Sequence, residues 1–281
     1  NDGSKDATLA ELKRLASLDE RVHYLSFSRN FGKEAAMVAG LRHATGNYVA
    51  VMDADLQDPP AMLVEMVALI RTGEYDCIGT KRVDRKGEPP IRSFFARQFY
   101  QLINRISDTE IVDGARDFRL MTRQMVDAVL EMTEYNRFSK GIFSWVGFET
   151  KYLSYENQER VAGKTTWSFW SLFKYSLDGI VAFSEAPLAI AAFTGFLSFA
   201  VAILAALILT VRTLVFGNAT SGWTSLIVII LGMGGLQLLC LGILGKYLGK
   251  TFMETKRRPL YILKETDGAL PTGRKEEQND D

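Results

Sequence analysis

The chain of 281 residues contains only two cysteines, Cys77 and Cys240, and this scarcity limits the class of protein. Cys240 lies inside an apolar run that offers it no partner, so a disulfide is not expected. No cleavable signal peptide is visible at the start of the chain. A disulfide-stabilised secreted domain is therefore excluded, and a reduced chain that faces the cytosol fits better.

Net charge is also absent, because Lys+Arg and Asp+Glu number 33 each, which argues neither for nor against nucleic acid as a partner. Charged residues are missing altogether from two long apolar runs, 187–211 and 223–244. About 20 apolar residues in a helix cross the hydrocarbon core of a bilayer. A buried helical hairpin in a soluble protein is the alternative, but these runs have no polar face to present to water. We therefore predict two transmembrane helices.

The short loop between the predicted spans, 212–222, carries one cation, Arg212, whereas several cations cluster around the end of the second span. These are Lys246, Lys250, Lys256, Arg257 and Arg258. The positive-inside bias puts that end, and the large N-terminal domain, on the cytoplasmic side of the plasma (inner) membrane. Glycines in the second span favour close helix packing, either within the chain or between protomers of a homo-oligomer.

Aromatic residues recur at three- and four-residue steps just before the first span, at Trp167, Trp170 and Phe173. Such a stripe is usually part of a core, but beside a membrane span it favours an amphipathic interfacial helix. The predicted organisation is a large domain over 1–160, an interfacial region over 161–186, two transmembrane helices over 187–249 and a cytosolic tail over 250–281.

Residues 1–160 alternate short β-rich runs with helical stretches. The strand-like runs are "VHYLSF", "YVAVMD" and "DCIGT", and the helical ones are "KEAAMVAGLRHAT" and "PPAMLVEMVALIRTG". Pro59 and Pro60 open the second helix, and Gly73 closes it. This alternation predicts an α/β fold with a mostly parallel sheet that helices cover on both faces. Ligands of such sheets bind outside the carboxyl ends of the strands.

Acidic side chains collect at one of these strand ends, in "VMDADLQDPP". Asp53, Asp55 and Gln57 alternate, so all three point to one side if the strand continues in extended form. Two carboxylates and an amide oxygen suit a hard divalent cation such as Mg²⁺ or Mn²⁺, which keeps sites for water and substrate phosphates. The alternative is a strand-end turn with solvated acids.

Two further polar loops precede helices. In "NDGSKDAT", Asp2 can accept hydrogen bonds from a base or a ribose, and Gly3 allows a close approach. In "SRNFGKEAAM", Arg29, Asn30 and Lys33 stand at a helix start, where cationic groups and helix N–H donors make an anion or nucleotide site. A solvated helix start is the alternative for the second loop.

The chain resembles family 2 glycosyltransferases of the polyprenyl-phosphate type in five ordered motifs: "NDGSKDAT", "SRNFGKEAAMVAG", "DADLQDPP", "DFRLM" and "KGIFSWVGF". The group includes dolichol-phosphate mannose synthases and bacterial undecaprenyl-phosphate glucosyltransferases, and the second, with two C-terminal spans, is the closer likeness. The resemblance implies a Rossmann-like GT-A fold that binds a nucleoside-diphosphate sugar. The family begins with a further strand and a nucleotide-binding loop, so an upstream segment is expected before Asn1.

The resemblance also implies roles for the residues of the polar loops. Asp2 would contact the nucleoside, while Asp53, Asp55 and Gln57 would hold a metal that bridges the donor diphosphate. Arg160, in "RVAGKTTW", matches the first residue of a family loop that closes over the donor.

In "DGARDFRLM", Asp117 matches the family's active-site aspartate and Arg119 its neighbour. Asp117 would lie beside the acceptor phosphate, as general base or orienting group. A lipid phosphate is already largely ionised near neutral pH, so positioning and charge stabilisation should supply most of the barrier reduction. The alternative is a structural salt bridge from Asp117 to Arg116 or Arg119.

Basic and aromatic residues are interleaved between residues 81 and 107. Such a pattern can bind single-stranded nucleic acid, but beside a membrane span it favours a grip on a lipid phosphate at the headgroup layer. Arg92 is the first candidate for that phosphate and Arg97 a further one.

We therefore expect a membrane-bound inverting glycosyltransferase that moves one sugar from a cytosolic nucleotide-sugar to polyprenyl phosphate and releases nucleoside diphosphate. UDP-glucose and undecaprenyl phosphate are the first expectation, and mannose, GlcNAc or aminoarabinose donors are the alternatives. A non-catalytic membrane scaffold is the alternative from a different class. A processive polysaccharide synthase is disfavoured, because no Q-x-x-R-W-like motif is present and two spans are few for a polymer channel.

Overall fold

The computed structural model describes residues 1–55, 57–82, 104–105, 112, 114–155, 180–181, 184–216 and 222–268. The chain folds into two compact units. The first combines Asn1–Ala182 with Arg257–Asp281, and the second is Phe183–Lys256. Most of the predicted interfacial region, 161–186, lies outside the described residues.

The first unit alternates strands and helices, as the sequence predicts. In chain order its elements are α1 (Thr8–Leu18), β1 (Leu25–Phe27), α2 (Lys33–His43), β2 (Tyr48–Val51), α3 (Met62–Ile70), β3 (Cys77–Arg82), β4 (Ala115–Thr122), α4 (Arg123–Glu131), α5 (Ser139–Trp145), β5 (Thr150–Tyr155) and β6 (Leu263–Thr266). The fold of this unit is α/β.

The larger sheet has the strand order β2-β4-β3-β5. Strand β4 runs antiparallel to both β2 and β3, and β3 runs parallel to β5. Strands β2, β3 and β5 therefore share one direction, as the helical crossovers predict, but β4 is inserted between β2 and β3 in the opposite direction. The prediction of a mostly parallel sheet is wrong for the described residues, because alternation along the chain does not reveal which strand enters between two others.

Strand β4 presents different chemistry on its two faces, because successive side chains of a strand point to opposite sides. Phe118 and Leu120 join Ile78 of β3 and two residues of α3, Met66 and Ile70, in a buried apolar cluster. The intervening residues of β4, including Asp117 and Arg119, therefore lie on the face of β4 opposite to this apolar cluster.

A second, two-stranded sheet pairs β1 antiparallel with β6. Strand β6 reaches β1 only after the chain has passed through the whole second unit. The ring of Tyr261, just before β6, stacks on Phe27 with 5.1 Å between centroids. Asn1 bonds to the main chain of the same strand: its nitrogen donates to Leu25 O at 2.6 Å, and its oxygen accepts from Phe27 N at 2.9 Å. Segments from both ends of the described chain thus meet on β1.

The second unit consists of two long helices, α6 (Ala186–Phe216) and α7 (Trp223–Thr255), which contain the two predicted spans. Among the described residues, one stretch is long and apolar enough to cross a membrane: Ala186–Ala205, with a mean hydropathy of 2.3 and no part of it buried. Two transmembrane helices therefore stay a prediction. Within this unit, Tyr247 Oη of α7 donates a hydrogen bond of 2.6 Å to Ser184 O, just before α6.

Candidate active site

Asp2 anchors the loop that precedes α2. Its Oδ1 accepts a hydrogen bond from Phe31 N at 2.6 Å, and its Oδ2 accepts one from Gly32 N at 2.9 Å. Hydrogen bonds from N–H groups to a carboxylate are stronger than those between neutral groups. The predicted contact of Asp2 with a nucleoside stays a prediction; within the chain, Asp2 holds the loop that leads into Lys33, the first residue of α2.

Gly3 makes the close approach that its residue type predicts, but to the protein's own backbone. Its φ is 68°, and a Cβ at this position would lie 2.5 Å from Arg29 C and 2.6 Å from Asn30 N. Arg29 and Asn30, both predicted to bind the donor, are exposed in this loop. The Arg29 guanidinium lies 4.0 Å from the centre of the Phe31 ring and donates to Asn30 O at 3.0 Å.

Three predicted site residues, Lys33, Asp53 and Asp117, meet at one edge of the larger sheet. In the antiparallel register of β2 and β4, Val51 pairs with Arg119. Continuing that register by two residues puts Asp53 opposite Asp117. Lys33 Nζ lies 2.8 Å from Asp53 Oδ1 and 2.6 Å from Asp117 Oδ2, so the ammonium group bridges the two carboxylates.

For both Lys33 and Asp117, the effect of the surrounding charges on the pKa is larger than the opposing effect of burial. Burial alone would lower the pKa of Lys33, but the charges and hydrogen bonds of Asp117 and Asp53 raise it above the usual lysine value. Burial alone would raise the pKa of Asp117, but the positive charges of Lys140, Lys33 and Arg119 hold it below the usual aspartate value. Asp117 is therefore an ionised carboxylate at neutral pH.

The predicted metal ligands do not follow an extended strand. Strand β2 ends at Val51, and Ala54 and Asp55 lie in a turn. Asp55 Oδ1 accepts a hydrogen bond from Gln57 N at 3.1 Å, a side-chain bond that favours a turn over a strand. The condition for the predicted alternation, a strand that continues in extended form through Gln57, is not met, because the chain turns at Ala54 and Asp55.

A metal ion is still compatible with the chemistry of these residues. In the part of the chain that the structure describes, no group of three or more His, Cys, Asp and Glu side chains could hold one. However, the Asp53 carboxylate is partly exposed and already binds a cationic group, the ammonium of Lys33. Asp53, Asp55 and the amide oxygen of Gln57 offer only hard oxygen donors, which fit Mg²⁺ or Mn²⁺ with further ligands from water and substrate.

Arg119, predicted to be catalytic, is buried with 2% of its surface exposed. Its guanidinium lies 3.7 Å from the centre of the Phe143 ring of α5 and donates to Arg116 O at 3.0 Å. The positive charge of Arg119 can act on Asp117. The contacts with the Phe143 ring and Arg116 O, however, keep the guanidinium itself packed inside the protein. The structure therefore supports a positioning role for Arg119.

Asp58, in the same acidic motif, belongs to a buried cluster that the sequence does not reveal. It is 1% exposed, accepts a hydrogen bond from Tyr155 Oη, and lies 3.4 Å from Arg116 Nε. Because Arg116 pairs with Asp58, and Asp117 pairs with Lys33, the alternative of a salt bridge between Asp117 and Arg116 is wrong. No local signal separates Asp58 from the partly exposed Asp53 and Asp55, because both partners of Asp58 lie far away in the chain.

A second contact missed by sequence reasoning joins the starts of α2 and α5. Glu34 Oε2 accepts hydrogen bonds from Ser139 N, at 3.1 Å, and from Ser139 Oγ. Burial raises the pKa of Glu34, against the opposing effect of the Ser139 hydrogen bonds. The next residue, Lys140, donates from Nζ to Ala115 O at 3.0 Å, at the beginning of β4. Two helix starts and β4 are thereby connected around Asp117.

Three predicted site residues lie outside the described residues. They are the acceptor-phosphate candidates Arg92 and Arg97 and the donor-loop candidate Arg160. Their roles stay predictions.

Comparison with known proteins identifies the family. The model of glycosyl transferase family 2 matches residues 1–130. The Bacillus subtilis (strain 168) protein CsbB, described as a glycosyltransferase, is 45% identical over 267 residues, which cover 95% of this chain and 80% of CsbB. The chain therefore belongs to glycosyl transferase family 2 and is a glycosyltransferase.

Two further relatives carry more specific names. The Escherichia coli (strain K12) prophage bactoprenol glucosyl transferase homolog is 44% identical over 264 residues, covering 94% of this chain and 86% of the relative. The SfII prophage-derived bactoprenol glucosyl transferase of Shigella flexneri is 42% identical over 271 residues, covering 96% of this chain and 87% of the relative. The similarity extends over the second unit as well as the α/β unit.

Proposed function

We propose that this glycosyltransferase moves glucose from UDP-glucose to the phosphate of undecaprenyl phosphate, with inversion at the anomeric carbon and release of UDP. The observation that carries the proposal is the meeting of Asp53, Lys33 and Asp117 at the sheet edge where α/β proteins bind ligands. The names of relatives that are 42% and 44% identical over nearly the whole chain support glucose and the bactoprenol acceptor.

The residues of the site divide into a donor side and an acceptor side. On the donor side, Asp53, Asp55 and Gln57 would hold a divalent cation, which when bound supplies positive charge to the diphosphate. Asp2 holds the loop of Lys33 in place, and Lys33 joins the donor side to Asp117.

On the acceptor side, Asp117 orients the lipid phosphate for attack on the anomeric carbon. A phosphate that is already ionised needs no strong base, so the ionised Asp117 acts by position and charge. Its negative charge would repel the phosphate unless cations surround it, which is the arrangement that Lys33 and Arg119 provide. The predicted partners of the lipid phosphate are Arg92 and Arg97, and the predicted donor-loop residue is Arg160.

The second unit serves as the membrane anchor in this proposal. Helix α6 contains the candidate span Ala186–Ala205. Helix α7 exposes a comparable set of large apolar side chains: Leu226, Ile229, Ile230, Leu238, Leu239, Leu241, Leu244, Leu248 and Phe252. Exposed apolar surface on this scale fits a lipid environment better than water. We infer two spans in the plasma (inner) membrane, with the α/β unit in the cytoplasm.

The direct test is turnover with a panel of radiolabelled nucleotide sugars in vesicles that contain undecaprenyl phosphate. We expect release of nucleoside diphosphate that depends on the lipid and is highest with UDP-glucose. Faster turnover with another sugar would change the proposed donor, and release that does not depend on the lipid would contradict the proposed acceptor.

The metal is tested in the same assay. Asp53→Ala and Asp55→Ala should abolish turnover, and EDTA should abolish it in the wild type until Mg²⁺ or Mn²⁺ is added in excess. Asp19→Ala, which removes an exposed acid paired with Arg21, is the matched control and should leave turnover unchanged. Full activity in EDTA would contradict a metal held by Asp53 and Asp55.

A further inference from the structure

A closed circuit of contacts surrounds Asp117. Lys33 Nζ pairs with Asp117, and the neighbouring Glu34 accepts two hydrogen bonds from Ser139. The neighbour of Ser139, Lys140, donates to Ala115 O at 3.0 Å, two residues before Asp117 on β4. The circuit passes through α2, α5 and β4 and returns to its starting point.

Lysines from two different helices act on β4: Lys33 contacts the Asp117 carboxylate, and Lys140 bonds to the carbonyl oxygen of Ala115, two residues earlier. Lys33 is shared between two acids, and half of its side-chain surface, 51%, is exposed. Lys140 is partly buried and fastened to the carbonyl oxygen of Ala115. The positive charge of Lys140, together with those of Lys33 and Arg119, lowers the pKa of the Asp117 carboxyl against the opposing effect of burial. Asp117 is thus influenced by two lysines: Lys33, whose side chain is half exposed, and Lys140, whose side chain is held in place by a hydrogen bond.

We propose that Lys140 is a positioning residue of the active site, which holds the ionised Asp117 carboxylate in its catalytic orientation, and that the Glu34–Ser139 hydrogen bonds hold Lys140 in place. This inference rests on the proposed function, because it concerns the same transfer. It adds α5, an element outside the acidic motif and the α2 loop, to the parts of the protein that control the reaction.

The Asp117 carboxylate depends on nearby cations to stabilise its charge. A carboxylate with 19% of its side-chain surface exposed has little water to solvate it, so nearby cations must do so. Because Asp53 shares the ammonium of Lys33, the charge of Lys140 adds to the balance of charge at Asp117. Loss of Lys140 should therefore lower the rate of transfer more than the binding of either substrate, because Asp117 acts on the reacting phosphate.

The test compares Lys140→Met, Lys140→Arg and the control Lys13→Met in the full chain, using UDP-glucose and vesicles that contain undecaprenyl phosphate. Lys13 pairs with Glu265 on the surface, away from the circuit. We expect kcat of Lys140→Met to fall on the order of 100-fold, in the range of lost electrostatic stabilisation at other active sites. KM for both substrates should change less than about threefold, and Lys140→Arg should restore part of kcat.

The wild-type assay separates the two proposals. If the wild type shows no lipid-dependent release of UDP, the proposed function fails; if it is active and Lys140→Met keeps the wild-type kcat, the present inference fails alone. A rise in KM with kcat unchanged would also overturn it, because Lys140 would then bind substrate rather than position Asp117.

Two further variants keep the proposal testable if Lys140→Met does not fold. Glu34→Gln retains an acceptor for Ser139, whereas Ser139→Ala removes one of the two hydrogen bonds. We expect Ser139→Ala to lower kcat by about fivefold, the equivalent of one modest hydrogen bond, and Glu34→Gln to lower it less. Equal and undiminished kcat in both variants would contradict the role of this contact.

Discussion

Lys33 Nζ lies 2.6 Å from Asp117 Oδ2, which joins the start of α2 to the β4 strand in one ion pair. Lys33 and Asp117 are far apart in the sequence. Lys33 belongs to a motif predicted to bind the donor, and Asp117 belongs to one predicted to lie beside the acceptor phosphate. In the proposed function, this pair connects the donor side of the site to the acceptor side. A substitution of Asp117 that removes its charge therefore leaves Lys33 with Asp53 as its one remaining carboxylate partner among the described residues.

The first prediction concerns the charge of Asp117. Asp117→Asn keeps the shape of the side chain but removes the charge that pairs with Lys33 and orients the acceptor. We expect kcat to fall by about 100-fold or more, while UDP-glucose binding, measured by calorimetry, stays within about threefold of wild type. Asp127→Asn, an exposed acid paired with Arg123 on α4, is the control. Unchanged turnover would remove Asp117 from the site.

The second prediction compares two glycines that share a left-handed backbone conformation, of which only one lies close to another backbone segment. Gly3 and Gly73 both have positive φ, 68° and 76°, but a Cβ would lie 2.5 Å from a backbone atom at Gly3 and would meet nothing within 4 Å at Gly73. Both alanine variants should lose about 1 kcal/mol from the left-handed conformation. Gly3→Ala should in addition displace the Arg29–Asn30 peptide and weaken donor binding, as measured by calorimetry, whereas Gly73→Ala should not.

The third prediction concerns the buried cluster of Asp58, Arg116 and Tyr155. Asp58→Ala leaves Arg116 without its carboxylate partner in a partly buried site, so we expect a loss of about 3 kcal/mol in the free energy of unfolding. Tyr155→Phe removes one hydrogen bond to a charged acceptor and should cost about 1.5 kcal/mol. Chemical denaturation in detergent would measure both. A loss below about 0.5 kcal/mol for Asp58→Ala, the level of a surface substitution, would show that the cluster contributes little.

The fourth prediction concerns pH and Glu34. Burial raises the pKa of Glu34 in the folded protein above its value in the unfolded chain, so the carboxyl stabilises the fold while it is protonated. That stability is fully present below the unfolded pKa and is lost as pH rises through the folded one. Glu34→Gln cannot ionise, so its Tm advantage over wild type should grow across this window.

Thermal unfolding at a series of pH values measures this difference. Glu131→Gln, at an exposed position at the end of α4, controls for the loss of a surface carboxyl. A Tm difference between Glu34→Gln and wild type that stays constant from acidic to neutral pH would contradict the burial of Glu34.

Much of this site follows from local patterns in the sequence. The proline and glycine signals around α3, the start of α2 at Lys33 and the acids after β2 depend on neighbouring residues, and the structure has each close to its predicted position. Helix starts and strand ends have such signals because their unpaired backbone groups need particular side chains nearby.

Two of the errors arise where the deciding partner is distant in the chain. The antiparallel insertion of β4 depends on its pairing with β2 and β3, and the burial of Asp58 depends on Arg116 and Tyr155. The turn at Asp55 was the alternative to an extended strand, and a single side-chain bond to Gln57 N favours it. Periodicity cannot distinguish these cases, because each is decided by contacts rather than by composition.

Strand β6 limits how the α/β unit can be prepared as a separate protein. A fragment that stops before α6 omits Leu263–Thr266, and with them the hydrogen-bonding partner of β1 and the aromatic ring that covers Phe27. Such a fragment would present a bare strand edge and an uncovered apolar side chain, a combination that promotes aggregation. Preparations without the long helices should therefore join residues 257–268 back to the fragment through a flexible linker.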